Sequence, residues 1–210
     1  MKTLCLTFIF FLFFYASGCS QNDGERIVGG GCDGCDLIYV GMPSNLQWET
    51  TIVNASEPGE PMIISGTIFK KDGRTPAAGV IFYVYHTDNK GYYSPSANQT
   101  GAKRHGHLRG WIRTGADGHY QFRTIRPAAY PNTNIPAHVH PVVKEPGMTE
   151  YYIDEYRFDD DTRLTASERA KEEKRGGSGI VKMTLNKNGE WICKRDIILG
   201  LNIPGYYKEN

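Results

Sequence analysis

From residue 62 onward the chain is a succession of short runs rich in Val, Ile, Tyr, Phe and Thr, at 62–69, 79–86, 107–113, 119–125, 137–143, 151–158, 179–185 and 190–198. Each is bounded by turn residues, and runs of this length and composition read as strands rather than helices. Lys71-Asp72-Gly73-Arg74, Asn89-Lys90-Gly91, Ala116-Asp117-Gly118 and Lys187-Asn188-Gly189 offer the Gly or Asn that tight hairpins require at positive φ. The pattern predicts an all-β fold, a β-sandwich of about eight mostly antiparallel strands with long loops and at most one short helix. The helix is expected within 165–174, a stretch polar on nearly every face and read as an exposed insertion.

The amino end has a different character. Lys2 precedes an apolar run at 4–16, too short for the roughly 20 residues of a membrane-spanning helix, so it reads as a secretory signal. Ala16-Ser17-Gly18-Cys19 resembles a bacterial lipobox, and the resemblance implies a lipoprotein signal at 1–18 and Cys19 as the lipidated first residue of an exported, membrane-anchored protein; a plain secretory site cut near Ala16 or Gly18 is the alternative, and either way the domain is exported. Residues 19–45, rich in Gly and Asp, read as a tether and lead-in segment, and 46–210 as the folded domain. With 24 basic and 23 acidic residues, the chain lacks the electrostatic footprint of a nucleic-acid binder. Cys32-Asp33-Gly34-Cys35 follows three glycines rather than a strand, so a structural disulfide clip is expected there instead of a redox pair.

The residues with the most chemical content are Pro136-Ala137-His138-Val139-His140. In a strand, residues two apart share a face, so His138 and His140 can converge on one metal, although two solvent-facing histidines satisfy the same spacing. Upstream, Arg126-Pro127-Ala128-Ala129-Tyr130-Pro131 sets a phenol on a loop held by two prolines, and Gly91-Tyr92-Tyr93 places two more after an apolar strand. Alternation sends Tyr92 and Tyr93 to opposite faces, so only one reaches a shared centre. Tyr120 is expected in the core, and His105-Gly106-His107 on an exposed loop.

Together these segments resemble the intradiol ring-cleavage dioxygenases, the catechol and protocatechuate family, over roughly residues 60–160 and again at Arg195-Asp196-Ile197-Ile198-Leu199-Gly200. The resemblance implies a ferric ion, Fe(III), held by Tyr93, Tyr130, His138 and His140, with Tyr130 the phenolate displaced by substrate. It further implies a small aromatic diol and dioxygen as substrates and a muconate-type product, with no organic cofactor. Phenolate is a hard anionic donor suited to Fe(III), whereas zinc sites more often use His, Cys or carboxylate.

One departure is plain: Ile135 stands where the family usually carries an Arg, with Arg126, Arg123 or Arg109 as substitutes through space, and a family Gln falls loosely at Glu150. Ile135, Glu150 and Arg126 are therefore the expected substrate-pocket residues, and a neutral catechol the expected substrate. Two other classes compete: a cupin-like metal enzyme built on His138, His140 and Glu145, and a prealbumin-like β-module that binds without catalysis.

Overall fold

The computed structural model describes residues 24–207. The signal and lipidation assignments at 1–18 and Cys19 lie outside them. In chain order the strands are β1 (Glu49–Thr51), β2 (Pro61–Phe69), β3 (Ile81–His86), β4 (Arg109–Arg113), β5 (His119–Ile125), β6 (His138–Lys144), β7 (Tyr151–Tyr152), β8 (Tyr156–Phe158), β9 (Ile180–Val181), β10 (Met183–Leu185), β11 (Trp191–Lys194) and β12 (Ile197–Ile198), with one α-helical turn, α1 (Ala166–Arg169), between β8 and β9 and two 3-10 turns, Cys35–Tyr39 and Lys103–His105. Among the described residues no helix is long and apolar enough to cross a membrane.

The mostly-β expectation holds, but the strand count and the antiparallel character change. Among the described residues twelve strands form two six-stranded mixed sheets, one ordered β1-β5-β2-β11-β10 with β12 also on β2, the other β4-β3-β6-β8-β9 with β7 also on β6. Three of the eight expected runs break in two; at 151–158 the break falls where the Asp154 carboxylate accepts the backbone N–H groups of Lys174 and Arg175. Hairpin rules order only sequence neighbours, and β2 instead takes partners from far along the chain: β5 antiparallel, β11 and β12 parallel. The helix is a single turn, capped by Thr165 and stopped where Arg157 donates to the Glu168 carbonyl.

Alternation builds the core between the sheets. Phe82 and Val84 of β3, Val139 and Val143 of β6, and Tyr120 and Phe122 of β5 are buried there, with the Phe82 ring 5.0 Å from Tyr120 and 5.7 Å from Phe122. Truncating a ring of this kind costs about 3–5 kcal/mol. The same alternation turns Tyr83, Tyr85, His138 and His140 to the outer face of the second sheet.

That outer face is covered. The segment expected to be a tether packs on it: Cys35 and Ile38 are buried against Tyr83 and Val142, and Trp111 Nε1 donates to the Ile38 carbonyl at 2.6 Å. The run is rich in glycine but carries enough apolar contact at its few large residues to dock. Cys32 and Cys35 form a disulfide that closes the covering loop.

Candidate metal centre

Two loops and one strand bring four side chains together. Asp88 ties the first loop, its carboxylate accepting from Lys90 N–H at 2.8 Å, Tyr92 N–H at 3.0 Å and the Ser94 hydroxyl at 2.7 Å. This turn leaves Tyr92 exposed and sends Tyr93 inward. The second loop, carrying Tyr130, is laced to the first by Thr87 Oγ1 donating to the Ala128 carbonyl at 2.6 Å. Gly91 makes this approach feasible: it sits at φ +86°, and a Cβ there would collide with the Ala129 carbonyl. The Asp161 carboxylate accepts the Ala137 N–H at 2.7 Å, anchoring the start of β6.

Tyr93 Oη lies 2.6 Å from Tyr130 Oη and 2.8 Å from His140 Nε2, while His138 Nε2 lies 3.1 Å from both Tyr130 Oη and His140 Nε2. The other nitrogen of each ring is committed outward. His138 Nδ1–H donates to the Pro136 carbonyl at 2.7 Å, and His140 Nδ1 lies 3.0 Å from a Glu155 carboxylate oxygen. Both Nε2 atoms are therefore lone-pair donors facing one point, and a cation among them relieves their repulsion. Burial pushes the Tyr93 and Tyr130 phenols up from their ordinary value, so phenolates form here only with a strong positive charge beside them. Two potential phenolates and two oriented imidazoles fit a ferric ion, hard and highly charged, better than zinc.

Glu155 is a member of this side-chain cluster that sequence reasoning missed. It sits just before β8, whose antiparallel register on β6 pairs His138 with Arg157 and Val139 with Tyr156, so the next step brings Glu155 opposite His140. Burial raises a carboxyl, but the His140 N–H and ring outweigh it and hold Glu155 down at about 2. His138, His140 and Glu155 form a metal-competent cluster, with ligand atoms within 4.8 Å of one another. Only the β6–β8 register reveals the pairing, because the sequence between them holds Glu145 and Glu150 as equal candidates.

Two small clefts flank the centre. One of about 260 Å³ is lined by residues including Cys32, Asp33, Tyr85, His140, Tyr152 and Glu155. The other, about 200 Å³, is lined by Asp33, Tyr85, Tyr93, Arg104, His105, Tyr130 and His140. None of Ile135, Glu150 and Arg126 lines either cleft. Arg126 forms a two-point ion pair with Asp160 at 2.6 and 2.9 Å and lies over Trp191. Glu150 accepts from the Tyr39 hydroxyl at 2.8 Å, and Ile135 is 46% exposed. Their expected place rests on resemblance to the family pattern, which does not fix where a loop side chain of this chain points. Glu145 is likewise elsewhere, buried and accepting from the Tyr151 and Tyr206 hydroxyls. The loop at 105–107 is not exposed as expected: His105 is buried, and burial pulls its imidazole down to about 4.

The Dioxygenase_C family model, described as dioxygenase, matches residues 38–176, more than half of the chain. The chain belongs to the intradiol ring-cleavage dioxygenase family. Catechol 1,2-dioxygenase 1 of Acinetobacter lwoffii is 38% identical over 104 residues, an alignment covering 42% of this chain and 33% of the relative. Hydroxyquinol 1,2-dioxygenase of Rhizobium sp. (strain MTP-10005) is 33% identical over 107 residues, 43% and 35% of the two chains. Across these and the catechol 1,2-dioxygenase of Acinetobacter baylyi, the alignments span a third to a half of the relatives' length. Among solved structures, the dioxygenase domain of a dioxygenase carbohydrate-binding protein fusion from Streptomyces sp. SirexAA-E matches with a TM-score of 0.53 at 23% identity, over 75% of this chain and 91% of that one. Catechol 1,2-dioxygenase of Acinetobacter radioresistens gives a TM-score of 0.56 at 18% identity, over 76% and 58%. Likeness at that identity concerns the fold. Family membership displaces the cupin-like alternative for this intradiol-family chain.

Proposed function

We propose that this intradiol-family chain uses Fe(III), held by Tyr93, Tyr130, His138 and His140, to cleave a neutral catechol-type diol with dioxygen. The supporting observation is the convergence of two phenol oxygens and two Nε2 atoms, each imidazole oriented by an outward hydrogen bond. When bound, ferric iron supplies the Lewis acidity and electron-accepting capacity that let an aromatic diol react with dioxygen. The chain's residues do the rest. His138 and His140 keep fixed tautomers, and Tyr93, pinned by the loop at 105–107, stays in place. Tyr130, on the proline-flanked loop, takes a hydroxyl proton from the incoming diol at its phenolate oxygen. The bond between the two hydroxylated carbons breaks, both atoms of dioxygen enter the product, and a muconate-type diacid results.

Asp33 and Glu155 bring two carboxylates to the clefts against one guanidinium, Arg104, which is already paired with Asp33 at 3.0 Å. This balance favours an uncharged diol over a carboxylated one. Export and attachment through a lipid on Cys19 complete the reading, with the domain outside the cytoplasmic membrane.

The test is direct. Protein isolated in air should carry one iron, show a visible phenolate-to-iron band, and consume one dioxygen per catechol while a diene diacid accumulates. A colourless protein without iron or turnover would return the binding-module alternative.

A further inference from the structure

His105 is placed with more care than a loop residue needs. It ends a 3-10 turn (Lys103–His105) that Ala102 enters at φ +50°, a conformation costly for a residue with a Cβ, and that Gly106 leaves at φ +65°. The Gln99 side-chain amide reaches three carbonyls of this turn, those of Gly101, Ala102 and Gly106, at 3.0, 3.1 and 3.0 Å. A Cβ on Gly106 would lie 3.0 Å from the Tyr93 Cα, so the turn is seated directly on the backbone of a proposed ligand.

The imidazole is held through one face and one ring nitrogen. It lies flat on the Tyr85 ring, centroids 3.6 Å apart and planes 3° from parallel. Tyr85 in turn stacks on His140 at 4.6 Å and 15°. Two rings cannot share one face of Tyr85 at those spacings, so Tyr85 lies between His105 and His140. His105 Nδ1 is 3.0 Å from Tyr83 Oη. The Arg109 guanidinium, which can only donate, lies beside that phenol and favours its oxygen as acceptor. With the Tyr83 hydroxyl donating to Nδ1, the neutral imidazole carries its proton on Nε2. Nε2 has no hydrogen-bond partner among the described residues, and His105 lines the same cleft as Tyr93, Tyr130 and His140.

We infer that His105 is a specificity-determining residue whose Nε2–H donates to an oxygen substituent on the ring of the bound diol, so that the favoured substrates are catechols bearing a neutral acceptor such as a hydroxyl or methoxy group. The inference rests on the ring-cleavage reading, since it needs a diol bound at the metal centre. A preset donor that finds its acceptor in the cleft discriminates against an analogue lacking it, because the N–H would otherwise be left without a partner. Arg104, engaged by Asp33 through both carboxylate oxygens at 3.0–3.1 Å, has part of its charge offset before any carboxylate substituent reaches it.

The experiment is a binding titration of the iron-loaded protein under nitrogen, followed through the visible band, with 4-methoxycatechol and the near-isosteric 4-ethylcatechol. The ratio of the two dissociation constants should favour the methoxy compound about tenfold more in the wild type than in His105→Phe, which keeps the stacking on Tyr85 but has no donor. His105→Gln, which retains an N–H donor, should recover part of the difference. A ratio that His105→Phe leaves unchanged overturns the assignment while diol binding stands. Should neither diol perturb the band of the iron-loaded wild type, the ring-cleavage reading fails and the role of His105 fails with it.

Discussion

Glu155 faces His140 across the β6–β8 pair, with a carboxylate oxygen 3.0 Å from Nδ1. A carboxylate in this position fixes the tautomer, aims Nε2 at the centre and raises the basicity of the ring as a ligand. Glu155→Leu should lower iron affinity about 10- to 100-fold, measured by competition with a chelator. Glu155→Gln keeps an acceptor but removes the charge, so the visible band should shift with a smaller loss of affinity. Equal affinity in all three proteins would show that the contact does not support the metal.

The two phenols should separate by role. Tyr93→Phe and Tyr130→Phe each remove one phenolate, and each should shift or weaken the visible band. Turnover should fall by at least about 10² where the lost oxygen is the one that accepts the substrate proton. The larger fall is expected for Tyr130→Phe, read by steady-state oxygen uptake; a larger fall for Tyr93→Phe reverses the assignment.

Gly91 lets the two phenol-bearing loops touch. Gly91→Ala adds a Cβ against the Ala129 carbonyl and strains a φ of +86°, at a cost of about 1–3 kcal/mol. Iron content and thermal midpoint should fall together. Unchanged iron binding would mean that the loops reach the metal without their close approach.

His107 makes stability depend on pH from neutrality upward. Its Nδ1 lies 2.6 Å from the Ser94 carbonyl and its Nε2 2.9 Å from the Glu57 carboxylate, so both nitrogens meet acceptors and the charged ring is favoured. Burial opposes that charge, but these partners more than offset it and the pKa is raised. A histidine raised on folding adds stability that is fully present below its unfolded pKa, about 6.5, and is lost as pH rises through the folded value. Denaturant midpoints should therefore decline from near neutrality toward alkaline pH, and His107→Phe should flatten that slope. A slope that survives the substitution belongs to another group.

Attachment is tested at the amino end. Cys19→Ala should abolish labelling by a fatty-acid analogue and move the protein out of the membrane fraction. Labelling that persists would rule out Cys19 as the anchor.

The sequence by itself determined that the chain is mostly β, because short β-branched and aromatic runs between Gly- and Asn-bearing turns have few other solutions. It also put His138 and His140 on one face, since side-chain alternation in a strand is local. Resemblance then singled out Tyr93 and Tyr130 as their companions. The tertiary structure alone decided what surrounds them. Glu155 reaches His140 through strand register, Arg126 turns away to Asp160, and Cys35 and Ile38 dock on the outer sheet face. The mixed sheets follow from the same cause: β11 and β12 join β2 across more than a hundred residues of chain. Local patterns encode which way a side chain points within its own strand, whereas partners across sheets and loops depend on how the whole chain closes, which no short window of sequence contains.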